Sequence, residues 1–227
     1  YDAAHKLLIL ASIAYGIDAK PDDILIEGIG DINQDDISFA KEFGYVIKLL
    51  GIAKKREDEV ELRVHPALVK KSEMIAKVDG VMNGISIVGD RVGETMYYGP
   101  GAGGDATASA VVANLIDIAR YGKSSAVLGF NRPLEGGLKL AGKYDLTSRY
   151  YMRIRAKDQV GVLAKIATVL AENKISVDSF VQKSKGEYAN LLFSTHEAKE
   201  IDIQQAIKEI EALDFVDGRP VMIGIED

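Results

Sequence analysis

The chain has 227 residues, 47% of them hydrophobic, with a net charge of −6 and no cysteine. That length carries two ordinary domains, and the composition is globular; the acidic balance argues against a nucleic-acid-binding face. Disulfides, thiolate nucleophiles and cysteine-ligated zinc are excluded, and His5, His65 and His196 lack metal-ligand spacing, so no metal is expected.

Residues 2–16 read as a helix. Leu7, Leu8, Leu10, Ala11 and Ile13 form a wide apolar stripe, Asp2 suits the first turn and Gly16 the stop. A helix beginning at the first residue, with no Met before it, makes the chain an expected fragment of something longer. Pro21-Asp22-Asp23 opens a turn, residues 24–29 are a short apolar run, and residues 35–43 form a helix ended by Gly44. Residues 45–54 and 59–70 are strand-like around the charged turn Arg56-Glu57-Asp58. There Val60, Leu62 and Val64 share an apolar face, while Glu61 and Arg63 point the other way. His65-Pro66 is expected just after this strand, in a turn, without a role. Residues 81–88 and 94–98 are further strands, and short connections favour antiparallel pairing. The glycine-rich stretch 99–104 feeds a helix over 106–121, which Gly122 ends.

Residues 123–147 lack periodicity and carry Gly129, Pro133, Gly136-Gly137 and Gly142, so they read as a surface linker. The pattern restarts at Arg149: a strand, an amphipathic helix over 161–171, a strand over 175–182, a turn at Lys185-Gly186-Glu187, a strand over 188–195, a helix over 201–212 and a strand over 221–225. This is the ferredoxin-like βαββαβ order. The expected fold class is α/β (α+β): a mainly antiparallel first part over 1–122, then a βαββαβ domain over 148–227. No apolar run approaches the roughly 20 residues that span a bilayer, and the basic region of a signal peptide is missing, so a cytoplasmic protein without a membrane partner is expected.

Three motifs can carry chemistry. Asp2 and Lys6 share one helix face at a spacing that makes a favourable ion pair, either an ordinary surface bridge or a carboxylate beside a proton-transferring ammonium. Gly99-Pro100-Gly101-Ala102-Gly103-Gly104 matches the letters of the dinucleotide fingerprint, but only a helix and a linker follow it, so that reading is rejected. A tight turn needing small residues, or close approach of backbone to a ligand at a helix N-terminus, remain open. Asp158-Gln159-Val160-Gly161-Val162 joins a strand to a helix. It is either turn chemistry or a place where backbone N–H groups meet a small carboxylate.

The string Tyr1-Asp2-Ala3-Ala4-His5-Lys6 resembles the end of the homoserine dehydrogenase signature, in which Gly, any residue, Asp, three residues and Lys follow one another. The stretch Gly99–Gly104 with Thr107-Ala108-Ser109-Ala110-Val111-Val112 is very similar to the segment closing that family's catalytic region, although Asp105 stands where the family usually has Pro. The strands over 81–90 and 93–98 resemble it too. The resemblance implies that Lys6 exchanges a proton with the substrate oxygen during hydride transfer and that Asp2 helps bind the homoserine amino group. It implies that Gly103 lies against the nicotinamide of NADP or NAD, with the main dinucleotide-binding domain outside this chain. The substrates implied are L-homoserine and L-aspartate 4-semialdehyde. From about Ser148 to Asp227, with Asn173, Ile175 and Ser176 after the helix, the chain strongly resembles an ACT domain. That likeness implies side-by-side pairing into a homodimer or homotetramer and an amino-acid effector, threonine by pathway, held through Asp158, Gly161, Val162, Asn173 and Ile175. The alternative from another class is a standalone amino-acid-binding regulatory and dimerisation module without catalysis.

Overall fold

The computed structural model describes residues 1–122 and 137–226. The fold is mixed α/β. Helix α1 (Asp2–Tyr15) ends at Gly16 in the left-handed conformation. Strand β1 (Leu25–Ile26) is what remains of the apolar run at 24–29. Helix α2 (Gln34–Glu42) starts at a capping box: the Asn33 side chain accepts from the backbone of Asp35 and Asp36, and Asp36 Oδ2 accepts from Asn33 N at 2.9 Å. Strands β2 (Tyr45–Arg56) and β3 (Glu59–Lys70) form one long hairpin. Strands β4 (Met82–Gly89) and β5 (Gly93–Pro100) pair only with each other among the described residues, and helix α3 (Gly104–Tyr121) follows them. Strand β6 (Lys139–Leu140) falls in the stretch expected as linker, most of which (123–136) lies outside the described residues.

The second part supplies β7 (Thr147–Lys157), α4 (Val162–Glu172), β8 (Val177–Lys185), β9 (Tyr188–Thr195), a short β10 (Ala198–Lys199) that the sequence did not suggest, α5 (Glu200–Glu211) and β11 (Val221–Glu226). The order β11-β7-β9-β8 is antiparallel throughout. Met152, Ile154, Phe193, Ile166, Leu170, Ile203 and Ile210 form its core under α4 and α5.

The two parts share one sheet. β3 gives one edge wholly to β2 and the other, in parallel, to β6, β1 and β11 in turn. Val60, Leu62 and Val64 face Ala4, Leu7 and Ala11 of α1. Leu68, on the same face, joins Phe39 and Ala40 of α2 against Tyr151, Leu192 and Ile223. Strand alternation places Glu61, Arg63 and His65 on the opposite face, with α5. That face is covered as well: β3 is buried from Val60 to Val69. His65-Pro66 is therefore mid-strand and buried rather than in a turn, because β11 and β7 continue the sheet beyond it.

Candidate functional site

α1 is held by its apolar face. Gly51 of β2 lies beside it, where an added Cβ would come within 3.4 Å of Leu7 Cβ. The outward face carries the charged pair. Lys6 Nζ lies 2.8 Å from Asp2 Oδ2, with the side chains 64% and 83% exposed. The bond from Lys6 and its charge hold the Asp2 carboxyl below its usual range. A carboxylate has two oxygens, so one can keep Lys6 while the other stays free to accept a further hydrogen bond. Ile9 and Leu10 are exposed on the same helix.

Gly103 caps α3 with φ 121° and ψ 148°, a backbone region that side chains rarely adopt. An added Cβ there would meet nothing within 4 Å, so the position is open to a flat group. Gly101 is different: its missing Cβ is where the Asn83 side chain sits, which fastens the loop to β4. No hydrogen bond among the described residues connects this loop to Asp2 and Lys6. None of the residues of α3 is buried, and Val111, Leu115 and Ile118 are exposed.

In the second part, Gly161 (φ 88°) caps α4. Asp158 beside it accepts from Gln182 Nε2 at 3.0 Å and Ser184 Oγ at 2.7 Å, both on β8. The first N–H groups of α4 open onto this turn. Val162 and Ile175 are core residues, so only their backbone is offered to a ligand. Asn173 caps the far end of α4, where Nδ2 donates to Val169 O at 3.0 Å and Glu209 Oε2 at 2.8 Å. Eleven helical residues, about 16 Å, separate it from Gly161. The fold thus gathers Asp158, Gly161 and Val162 and leaves Asn173 and Ile175 at the other end.

The sequence reading missed a buried polar cluster where the two parts meet. Arg63 bridges Glu61 and Glu226, and Lys54 Nζ reaches Glu226 Oε2 at 2.6 Å. Burial works against the Glu226 charge, but Arg63 and Lys54 prevail and hold its carboxyl below the usual range. His65 Nδ1 lies 2.8 Å from the Pro66 carbonyl, so it donates there and Nε2 is left as an acceptor. Burial, then the Arg63 charge, pushes the His65 pKa down to about 4, leaving the ring neutral.

The helix with its exposed Asp2–Lys6 pair and the glycine loop before α3 fall within one family profile, and most of the βαββαβ unit within another. The homoserine dehydrogenase family profile matches residues 1–116 and the ACT domain profile residues 150–215. The chain belongs to the homoserine dehydrogenase family. Among its relatives, homoserine dehydrogenase of Helicobacter pylori is 54% identical over the whole chain and that of Pseudomonas aeruginosa 43% over 99% of it. The crystal structure of a homoserine dehydrogenase from Thiobacillus denitrificans superposes with a TM-score of 0.86 at 43% identity, covering 100% of this chain and 53% of that one. The chain spans about half the length of the curated relatives it matches, 53% of the Helicobacter pylori enzyme and 54% of the Pseudomonas aeruginosa enzyme.

Proposed function

We propose that this chain is the substrate-side and regulatory portion of an enzyme that interconverts L-aspartate 4-semialdehyde and L-homoserine with NAD(P). The supporting observation is the Asp2–Lys6 pair, presented outward on a helix whose opposite face is locked to β3. A bound nicotinamide supplies the hydride acceptor or donor. Lys6 gives its proton to the carbonyl oxygen during reduction and takes it back during oxidation. Asp2, ionised, holds the substrate ammonium. Gly103 has the open, side-chain-free backbone that a nicotinamide face needs for close approach. The main dinucleotide-binding contacts, and the choice between NADP and NAD, belong to sequence outside this chain.

Regulation rests on the turn at Asp158 and Gly161, where α4 N–H groups receive the carboxylate of an amino acid, threonine in this reading. Asn173 and Ile175 are too far away in one chain, so a ligand touching both sets bridges two chains paired side by side. No helix among the described residues is long and apolar enough to cross a membrane; the proposed setting is cytoplasmic.

The test is Lys6→Met in the full-length protein, following reduction of NAD(P) by homoserine. The expected loss in kcat is about 10²–10⁴-fold. The exposed site predicts an unfolding temperature within about 1 °C of wild type. Turnover within twofold of wild type would sink the assignment. Calorimetric titration with threonine, against serine, isoleucine, methionine and lysine, tests the regulatory half separately.

A further inference from the structure

The joint between the two parts brings two carboxyls to one amide. Glu27 follows β1, and its backbone N donates to Val64 O of β3 at 2.8 Å. Glu200 opens α5 on the other side. Gln204 Nε2 reaches both carboxyls, at 2.8 Å to Glu200 and 3.5 Å to Glu27. Beside them is a void of about 10 Å³, room for about one water. Arg63, His65, Tyr150 and Gly224 help to wall it. Arg63 Nε and His65 Nε2 are buried without a hydrogen-bond partner among the described residues.

The charged groups around Glu27 come from every element packed there. α5 brings Glu200. The segment before β11 brings Arg219, whose charge favours the ionised form. β3 brings Arg63, already engaged by Glu61 and Glu226, and the neutral ring of His65. β7 brings Tyr150, whose hydroxyl donates to Glu200 Oε2 at 2.8 Å. Glu226 and Lys54 pair with each other beyond Arg63. The donors are therefore unequally shared. Glu200 accepts from Tyr150 and Gln204 and stands in the first turn of α5. Glu27 has one long contact to Gln204.

We propose that this joint is a proton-operated latch, in which a proton on Glu27 lets it share Gln204 with Glu200 and loss of that proton loosens the docking of the ACT part on β1 and β3. Burial, followed by the Glu200 charge, raises the Glu27 pKa to about 7 from 4.5. A carboxyl that holds its proton more tightly folded than unfolded withdraws stability as pH rises between those two values. The latch is closed in mild acid and strained above neutrality. His65 runs the opposite way, because its folded pKa is depressed and it withdraws stability as pH falls from 6.5 towards 4. The wild-type profile alone therefore mixes two opposing slopes, and the latch has to be read as a difference.

The experiment follows thermal unfolding of the whole chain from pH 5 to pH 9 for wild type and Glu27→Gln. Glutamine keeps the shape and mimics the protonated form at every pH, while His65 and Glu226 titrate in both proteins and cancel. The gap should be small at pH 5 and widen with pH, until Glu27→Gln is about 5 °C more stable at pH 9. A gap that stays flat, or that opens towards acid, overturns the proposal. In a Glu200→Gln background the gap should shrink; an unchanged gap would overturn the pairing of the two carboxyls. Amide hydrogen exchange, corrected for the intrinsic pH dependence, locates the effect. Residues 224–226 of β11 and 67–69 of β3 should lose protection relative to β8 and β9 above neutrality in wild type only. Equal loss in both regions would overturn the latch at this joint.

Discussion

Helices α3 and α4 both carry apolar stripes, yet only one is buried. α4 sets Val162, Ile166 and Leu170 into the core of its own sheet. α3 has eighteen residues and buries none of them, and the β4–β5 hairpin before it leaves Ile85, Ile87, Tyr97 and Tyr98 exposed. Periodicity shows that a face is meant to leave water. It does not show what covers that face. α4 closes on strands brought to it by the βαββαβ order, whereas α3 and its hairpin form an arm that leaves its apolar residues exposed among the described residues. The docked region should therefore respond to substitution as a core and the arm as an interface.

The largest effect is expected where α2 is bolted to the regulatory sheet. Asp36 is fully buried; Tyr151 Oη donates to it at 2.8 Å and Arg153 Nε at 2.7 Å. Asp36→Ala leaves the mostly buried Arg153 guanidinium without its partner, which should cost about 3–5 kcal/mol by denaturant unfolding. Leu170→Ala, a cavity in the α4 core, should cost about 2–5 kcal/mol, the same at every protein concentration. If either variant loses less than 1 kcal/mol, the description of this region as a closed core fails.

A smaller effect, about 1–3 kcal/mol, is expected for Gly224→Ala. An added Cβ would run into the His65 ring. Glycine is needed there because β11 passes over a buried imidazole, not because of its backbone angle. In a His65→Ala background the same substitution should cost much less, and a double-mutant cycle measures the coupling. Additive effects would mean that the ring moves aside freely.

Much of this was legible in the sequence. Gly16 and Gly122 mark the ends of α1 and α3, where each takes the left-handed conformation. The strand–helix order after Arg149 gave the ferredoxin-like unit, with the strand expected at 175–182 displaced by two to three residues to Val177–Lys185. The spacing of Asp2 and Lys6 gave the ion pair. What escaped was non-local. β11 joins β3 across more than 150 residues of chain, and no local pattern in either strand announces a parallel partner. For the same reason Glu61, Arg63 and His65 read as a wet face and a turn, since only the arrival of β11, β7 and α5 buries them. Of the candidate effector positions, Asp158, Gly161 and Val162 stand at the start of α4 and Asn173 and Ile175 beyond its end, so the length of α4 keeps the two sets apart.

The smallest effect on the folded chain is expected in the arm, and it is the one that separates interface from core. Leu115 on α3 is 60% exposed. Leu115→Ser should change the stability of the dilute, isolated chain by no more than about 0.5 kcal/mol. If a second copy covers α3, the wild-type unfolding temperature should rise with protein concentration, because association stabilises only the folded state. Leu115→Ser should flatten that dependence and lower the mass seen by light scattering, while Leu170→Ala shifts the curve down without changing its slope. A wild-type curve with no concentration dependence would show that α3 is not covered by a copy of this chain. The apolar stripe would then answer to the part of the longer relatives that this chain does not span.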